Sequence, residues 1–457
     1  IPAGTELAPR NPGVDAWDAL GDNQRRLACR LQEAFAAFLD HTDDQIGRLV
    51  DGLRDMGQLD NTILLVLADN GASQEGGPFG VMHEMKFFNG LLDSPDDVVD
   101  RLDDIGGPHS HTNYPWGWAQ CGNSPFKWYK QNTHEGGVHV PMIVHYPDRI
   151  AADQRGTNRD QFVYVSDVVP TIYDLLGVTP PQTYRGIEQL PVTGHSFAGV
   201  LDDPGAPAAN TVQYFEMMGS RAIVAGEWKA VCKHLPGSDF QTEQWELYHL
   251  ATDWSECNDL ASLQPERLDA LIALWWTEAE KNGVLPLDDR TVELFGARFR
   301  PNSPHPVDRH YIYRPPMSPL PGQAAAAIGG TDFDLTARIS RAAGQEGVLF
   351  ATGTENSGIA VFVQDDRFVV DYNAFNEHSI IESSLPVPAG DCTLVARLRR
   401  GSGRAGSISL EVNGEPAGTA ELPLVMMMIS SVGASVGYNH GSAVSTRYQA
   451  PFPFTGT

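Results

Sequence analysis

A six-residue apolar run, Ile63 to Ala68, ends abruptly at Asp69-Asn70-Gly71. Ahead of it, apolar residues recur near a 3.6-residue period between Asp22 and Met56, which predicts a long amphipathic helix. A helix followed by a short apolar strand is the repeating unit of a doubly wound α/β sheet. We therefore expect a buried parallel strand with Asp69 and Asn70 at its carboxyl end, where such sheets bind ligands.

A second motif, Lys130 through Gly137, precedes another strand candidate at residues 140–146. Its two adjacent glycines permit a tight turn into that strand, and a lysine beside a metal ion would stabilise negative charge on an ester oxygen. Asp69 and Asn70 offer the hard oxygen ligands that suit Ca²⁺ or Mg²⁺. Together the motifs indicate a metal-dependent hydrolase of anionic esters. The plain alternatives are an ordinary turn at Asp-Asn-Gly and a solvated lysine.

Charge and hydropathy exclude several classes of protein. Lys and Arg number 32 against 58 Asp and Glu, a net charge of −26 that repels nucleic acid and anionic membranes. The apolar runs fall far short of the roughly 20 residues that a membrane-spanning helix needs. We expect a soluble protein, cytoplasmic or periplasmic, with no nucleic-acid partner and no membrane span. The five cysteines have no zinc spacing, although Cys232 and Cys257 could pair in an oxidising compartment.

The chain changes character beyond residue 205. Short alternating segments between residues 211 and 250 predict a small antiparallel sheet, and the periodic segment 265–281 predicts a helix that covers it. After residue 330, β candidates separated by turns are typical of a β-sandwich. We therefore predict four parts, which are an α/β part of the catalytic domain (1–205), a sheet-plus-helix subdomain (206–298), a linker (299–329) and a β-sandwich (330–457).

Several motifs together resemble one known family. They are Leu67 through Gly71, Lys130 through Gly137, Ser166 through Thr171, and Trp245 through Tyr248 with Asp253 to Leu260. With them the chain resembles the carboxyl-terminal part of a bacterial sulfatase of the arylsulfatase type, in the alkaline phosphatase superfamily. The resemblance covers roughly residues 1–290, and the sandwich is similar to one appended in some bacterial members.

The resemblance implies a site and a fold. Asp69 and Asn70 would bind an active-site Ca²⁺, in preference to Mg²⁺, and Lys130 would contact the substrate sulfate. His134 and Glu135 match the motif without a catalytic role, and we expect them to hold the loop. The fold would be a partial doubly wound sheet of the alkaline phosphatase type.

The chain departs from the family at the nucleophile. A sulfatase needs a cysteine in a Cys-x-Pro-Ser-Arg setting, oxidised to formylglycine, and no cysteine or serine here has that context. We therefore expect a fragment, inactive alone, whose partner is a missing amino-terminal part of the catalytic domain and whose substrate is a sulfate ester of a small molecule or glycan. The alternatives are a phosphonate or phosphate ester hydrolase of the same superfamily, or a non-catalytic fragment with a glycan-binding or structural sandwich.

Overall fold

The structure is a computed structural model that describes residues 4–290, 310–315, 317–322, 324–326 and 328–457. The described residues form two compact units. The first draws on residues 1–15, 37–74 and 117–294, and the second on residues 16–36, 75–116 and 295–457. The predicted linker at 299–329 lies partly outside the described residues. The predicted division into four parts stays a prediction.

The predicted amphipathic helix is confirmed as α1, Asp22–Asp55. Leu27, Ala28 and Leu31 are its buried residues. Further along the helix, the apolar side chains of Phe35, Phe38 and Leu49 are exposed. Within the residues that the structure describes, no helix is both long and apolar enough to cross a bilayer.

Besides residues 37–55 of α1, the first unit contains one helix of 17 residues and otherwise short helices and strands. Its helices are α4 (Trp116–Gly122, whose first residue is grouped with the second unit), α5 (Glu135–Val138), α6 (Val168–Leu176), α7 (Ala198–Asp202) and α8 (Pro265–Lys281). Its strands are β1 (Leu64–Leu67), β2 (Met142–His145), β3 (Thr183–Tyr184), β4 (Ile187–Glu188), β5 (Val212–Met217), β6 (Ser220–Ala225), β7 (Trp228–Cys232) and β8 (Glu246–His249). Helix α6 ends at Gly177, whose φ of 63° is a left-handed conformation that glycine adopts readily.

The predicted parallel, buried strands are wrong. Strand β1 pairs with β2 in antiparallel register, with Val66 opposite Ile143, so the partial doubly wound sheet is not seen in the described residues. Val66 is 40% exposed and Ile143 65% exposed. An apolar run shows that both faces of a strand favour burial, but the path of the connecting chain sets the direction of its neighbour. The rest of the α/β prediction holds, since helices and strands are mixed throughout this unit.

The predicted small antiparallel sheet and its covering helix are confirmed. Strands β5, β6, β7 and β8 pair in sequence order, every pair antiparallel. Trp275 of α8 is fully buried against this sheet, and its indole Nε1 donates to the Phe215 carbonyl over 3.0 Å. Pro265 opens α8, because a proline at the first helical position lacks only an N–H that would be unpaired there.

The second unit contains the predicted all-antiparallel β region. One sheet has the order β13-β12-β11-β10-β17 and the other the order β16-β15-β14-β9. Their bounds are β9 Phe333–Arg341, β10 Gly347–Gly353, β11 Gly358–Gln364, β12 Arg367–Ala374, β13 Glu377–Pro386, β14 Gly390–Arg400, β15 Gly406–Val412, β16 Glu415–Leu422 and β17 Ala434–Val436. Residues of both sheets, among them Phe368 and Leu394, share one core, which is how a β-sandwich is built.

A segment distant in sequence packs into the same core. Residues 75–116 carry the helices α2 (Glu84–Phe88) and α3 (Pro95–Val98), and Met85 is buried among the sandwich residues. The buried Asn89 donates from Nδ2 to the Met428 carbonyl over 2.8 Å and accepts from the Met427 N–H over 2.6 Å. The sandwich and the segment between the two sequence motifs therefore form one compact unit.

All five cysteines are free, so Cys232 and Cys257 do not pair. Cys232 is buried in β7 with its Sγ 3.3 Å from a guanidinium nitrogen of Arg221. Burial raises the pKa of the Cys232 thiol to about 11, which keeps it protonated and unreactive.

Candidate active site

The structure brings the two sequence motifs together. The Gly71 N–H donates to the Gly137 carbonyl over 3.1 Å, and the Lys130 N–H donates to the Ala72 carbonyl over 3.1 Å. Asn123 bridges the same segments, because its Oδ1 accepts from Ala72 and its Nδ2 donates to the Gly136 carbonyl. The loop with Asp69 and Asn70 therefore adjoins the loop with Lys130, although the two motifs are 60 residues apart.

Glycines make this close approach sterically feasible. A Cβ atom on Gly71 would lie 1.7 Å from the Gly136 carbonyl oxygen, and one on Gly136 would lie 2.1 Å from the Trp128 carbonyl oxygen. Neither position has a positive φ, so the requirement is contact between backbones. A Cβ atom on Gly137 would lie 2.0 Å from the Asn132 carbonyl oxygen, so the glycine pair lets its own loop turn tightly, as expected. Gly71 is the glycine that lets the two loops touch.

Asp69 and Asn70 present oxygen atoms suited to a hard cation. The Asp69 carboxylate is exposed and makes no hydrogen bond or ion pair within the described ranges. Asn70 donates from Nδ2 to the Gly71 carbonyl over 2.9 Å, which leaves Oδ1 as the free acceptor. These two donors fit Ca²⁺ in kind but supply only part of the six to eight oxygens that it takes. In the described part of the chain, no three His, Cys, Asp or Glu side chains cluster as metal ligands.

Lys130 sits in a loop with an unusual backbone. Trp128 and Gln131, on either side of it, have φ values of 65° and 69°, a left-handed conformation that non-glycine residues rarely adopt. Asn132 stabilises the turn by donating from Nδ2 to the carbonyls of Tyr129 (3.0 Å) and Lys130 (3.2 Å). The surroundings of the loop therefore hold Lys130 in place.

A single carboxylate oxygen of β8 anchors this loop. Glu246 Oε2 accepts from Lys127 Nζ (2.9 Å), His134 Nε2 (3.1 Å) and the Tyr248 hydroxyl (2.6 Å). Burial alone would raise the pKa of Glu246, but these three donors hold it well below its usual range. His134 thus holds the loop, as its sequence context predicted.

A buried cation of β7 provides a second anchor. Lys229 Nζ lies 2.7 Å from Glu135 Oε1 and 2.9 Å from Glu256 Oε1, and Glu256 Oε2 accepts from the Glu135 N–H over 2.9 Å. His139 Nδ1 lies 2.7 Å from the other Glu135 oxygen. Burial opposes ionisation of Glu135, yet Lys229 and His139 lower its pKa to about 2. Glu135 also holds the loop, as predicted.

Comparison with known proteins assigns this site to a family. Residues 11–178 match the Sulfatase family, and residues 125–273 match the family described as N-sulphoglucosamine sulphohydrolase, C-terminal. The first match contains Asp69 and Asn70, and both contain Lys130 through Gly137. This chain belongs to the sulfatase family. The resemblance to the sulfatase family, in the alkaline phosphatase superfamily, is confirmed. Its narrower form, the carboxyl-terminal part of a bacterial member of the arylsulfatase type, stays a prediction.

This sulfatase has relatives of greater length. An uncharacterized sulfatase of Schizosaccharomyces pombe is 32% identical over 297 residues, which are 63% of this chain and 50% of that protein. An arylsulfatase of Klebsiella aerogenes is 27% identical over 185 residues, 40% of this chain and 38% of that protein. The chain therefore spans half or less of these relatives. The crystal structure of Ps i-CgsB is 19% identical with a TM-score of 0.39, over 64% of this chain and 52% of that one, too weak a similarity to argue from.

Sequence reasoning missed the anchoring residues of this sulfatase. Lys229 and Glu246 lie in short apolar strands. Burial of a charged side chain is costly unless it is paired, so a charged residue in an apolar strand was the signal for a buried ion pair. The partners of Lys229 and Glu246 in the loop of Lys130 lie 94 to 119 residues away along the chain, a separation that spacing alone does not connect. The roles of Asp69, Asn70 and Lys130 stay predictions.

Proposed function

We propose that this sulfatase hydrolyses sulfate esters, with Asp69 and Asn70 as ligands of an active-site Ca²⁺ and Lys130 as a contact of the substrate sulfate. The observation that carries the proposal is the backbone pairing of the two loops, through Gly71 to Gly137 and Ala72 to Lys130. That pairing brings together oxygen ligands and a cation from opposite ends of a 60-residue interval.

Each residue has a distinct part in this proposal. Asp69 and Asn70 supply a carboxylate and an amide oxygen to the cation, which when bound would draw charge from the sulfuryl oxygens and acidify the nucleophile. Lys130 supplies a fixed positive charge for the oxygens that become more negative in the transition state. Because the chain is strongly acidic overall, with a net charge of −26, an anionic substrate needs such local positive charge.

The nucleophile that we propose is not among these residues. We propose a formylglycine, made from a Cys-x-Pro-Ser-Arg cysteine that none of the 457 residues provides. The 457 residues alone would then form part of the active site and would not hydrolyse a sulfate ester. The substrate class we propose is an aryl sulfate or a sulfated glycan, and the name of the Klebsiella aerogenes relative favours including aryl sulfates in the first assays.

The test uses the whole protein that contains these residues. Hydrolysis of paired aryl sulfate and aryl phosphate substrates is measured for wild type, Asp69→Ala, Lys130→Met and the control Lys281→Met, whose side chain is exposed on α8. We expect sulfate to be the better substrate. We also expect kcat to fall by roughly 10² to 10³ in Lys130→Met, because a charge-stabilising donor is lost, and to stay unchanged in the control.

Metal dependence and the alternatives are read from the same assay. A chelator should abolish activity and added Ca²⁺ should restore it in wild type, with much weaker restoration in Asp69→Ala. Faster cleavage of the phosphate would favour a phosphonate or phosphate ester hydrolase. Hydrolysis of neither substrate by the whole protein would leave a binding or structural role.

A further inference from the structure

We propose that Lys233 is a positioning residue for Lys130, because its ammonium group holds the loop of residues 127–137 in the conformation that presents Lys130. Lys233 follows β7 directly in the sequence, and no motif had marked it. The expected effect of Lys233 on catalysis rests on the sulfate ester hydrolysis proposed above. The expected effect of Lys233 on the loop conformation does not depend on that function.

A short chain of hydrogen bonds connects the two lysines. Lys233 Nζ lies 3.1 Å from Asn132 Oδ1, and Asn132 Nδ2 lies 3.2 Å from the Lys130 carbonyl oxygen. An ammonium group can only donate, so it fixes which end of the Asn132 amide faces Lys233. The other end must then donate to the loop carbonyls. Lys233 thereby orients Asn132, and Asn132 holds the backbone of Lys130.

The same ammonium group also covers an aromatic ring in the loop. Lys233 Nζ lies 2.9 Å from the centroid of the Trp128 ring, a cation–π contact with the face of the indole. Trp128 and Gln131 have positive φ values, and a non-glycine residue stays in that conformation only when its surroundings hold it there. Lys233 contacts the loop at Trp128 and Asn132, on either side of Lys130.

The neighbours of Lys233 do little to stabilise its positive charge. Glu246 of β8 and Lys127 of the loop are the charged groups that act on it, and these two are paired with each other at 2.9 Å. Burial lowers the pKa of Lys233 to about 8, with Glu246 opposing and Lys127 adding to the shift. In the described residues Lys233 itself makes no ion pair. Lys233 is therefore about half deprotonated near pH 8, and above that pH it loses most of the positive charge that the Trp128 contact requires.

The kinetic test compares Lys233→Met and Lys233→Arg in the whole protein, with Lys281→Met as the matched control. We expect kcat for an aryl sulfate to fall about ten- to a hundredfold in Lys233→Met, with a smaller change in KM, because Lys130 is misplaced. Lys233→Arg should keep most of the wild-type kcat. Because a guanidinium stays charged, this variant should also shift the alkaline fall in kcat upward by at least about one pH unit.

A second measurement does not need activity. Hydrogen exchange at pH 7 follows the amides of Lys130, Gly136 and Gly137, which are hydrogen-bonded within and beside the loop. They should exchange at least about tenfold faster in Lys233→Met, while the amides of α8 stay unchanged. Unchanged loop exchange, or a Lys233→Met kcat within twofold of wild type, would overturn the positioning role. If wild type hydrolyses no sulfate ester, the proposed function fails, and hydrogen exchange alone decides whether Lys233 holds the loop.

Discussion

Lys229 Nζ lies 2.7 Å from Glu135 Oε1, with both side chains buried. The pair joins β7 to the loop that carries Lys130, and Glu256 adds a second carboxylate to the same ammonium group. Charges that have left water are tolerated only when such partners are complete. The small antiparallel sheet is therefore an electrostatic support for the candidate site.

Replacing Lys229 by Met should destabilise the protein by about 3–5 kcal/mol, because two buried carboxylates would lose their cation. Urea unfolding followed by circular dichroism measures this change. Lys281→Met is the matched control, since its ammonium group is exposed, and it should change the free energy of unfolding by less than about 0.5 kcal/mol. Equal effects of the two substitutions would contradict the structural role of the buried pair.

Glu135 should make stability depend on pH in the acid range. Its pKa is about 2 in the folded protein and about 4.5 when unperturbed, so its contribution is complete above pH 4.5. The contribution is lost as pH falls from about 4.5 toward 2, because protonation then favours the unfolded chain. Unfolding free energies measured across this window should show a smaller slope in Glu135→Gln than in wild type. The same slope in both proteins would show that other carboxylates dominate.

Gly71→Ala should separate the two loops of the candidate site. The new methyl group would meet the Gly136 carbonyl oxygen at 1.7 Å, so one backbone must move. We expect kcat/KM for a sulfate ester to fall at least about tenfold in the whole protein, since displacement of catalytic groups by ångströms is costly. Gly52→Ala in α1 is the control, because nothing lies within 4 Å of its added Cβ. It should raise helix stability by about 0.5–1 kcal/mol, with no loss of activity.

Asn89→Ala should loosen the segment that packs on the sandwich. Asn89 is buried and bonds the backbone of Met427 and Met428, so its loss leaves those groups unsatisfied. Such a loss costs about 1–3 kcal/mol. Hydrogen exchange should quicken in residues 84–91, whereas Asn282→Ala, at the exposed end of α8, should leave that segment unchanged. An unaltered exchange rate in Asn89→Ala would show that apolar packing alone holds the segment.

Local patterns predicted local elements. The 3.6-residue period marked α1 and α8 almost to the residue. The β candidates after residue 330 are separated by turns, as expected, and those at Asp365-Asp366 and Asn413-Gly414 have the positive φ values that such hairpin turns require. Gly71 and the Gly136-Gly137 pair also stand where backbones approach closely, so close approach leaves a trace in composition.

Contacts between distant residues were not predictable. Whether β1 runs parallel or antiparallel to β2 depends on a connection of 74 residues. The pairing of Lys229 with Glu256, and of Lys233 with Asn132, joins segments whose order along the chain carries no sign of contact. Each of these contacts depends on which residues lie close together in the folded protein, and distance along the sequence does not reveal that.

The packing of Met85 into the sandwich core has a consequence for how this chain can be divided. Phe88 and Leu91 pack against the same core, so three apolar side chains from the segment between Asp69 and Lys130 depend on strands that begin at Phe333. Truncation at residue 330 would follow the sequence pattern, yet it would expose Met85, Phe88 and Leu91 to solvent. The β-sandwich is thus not a separable domain, and its removal would destabilise a segment that lies more than 200 residues earlier in the sequence.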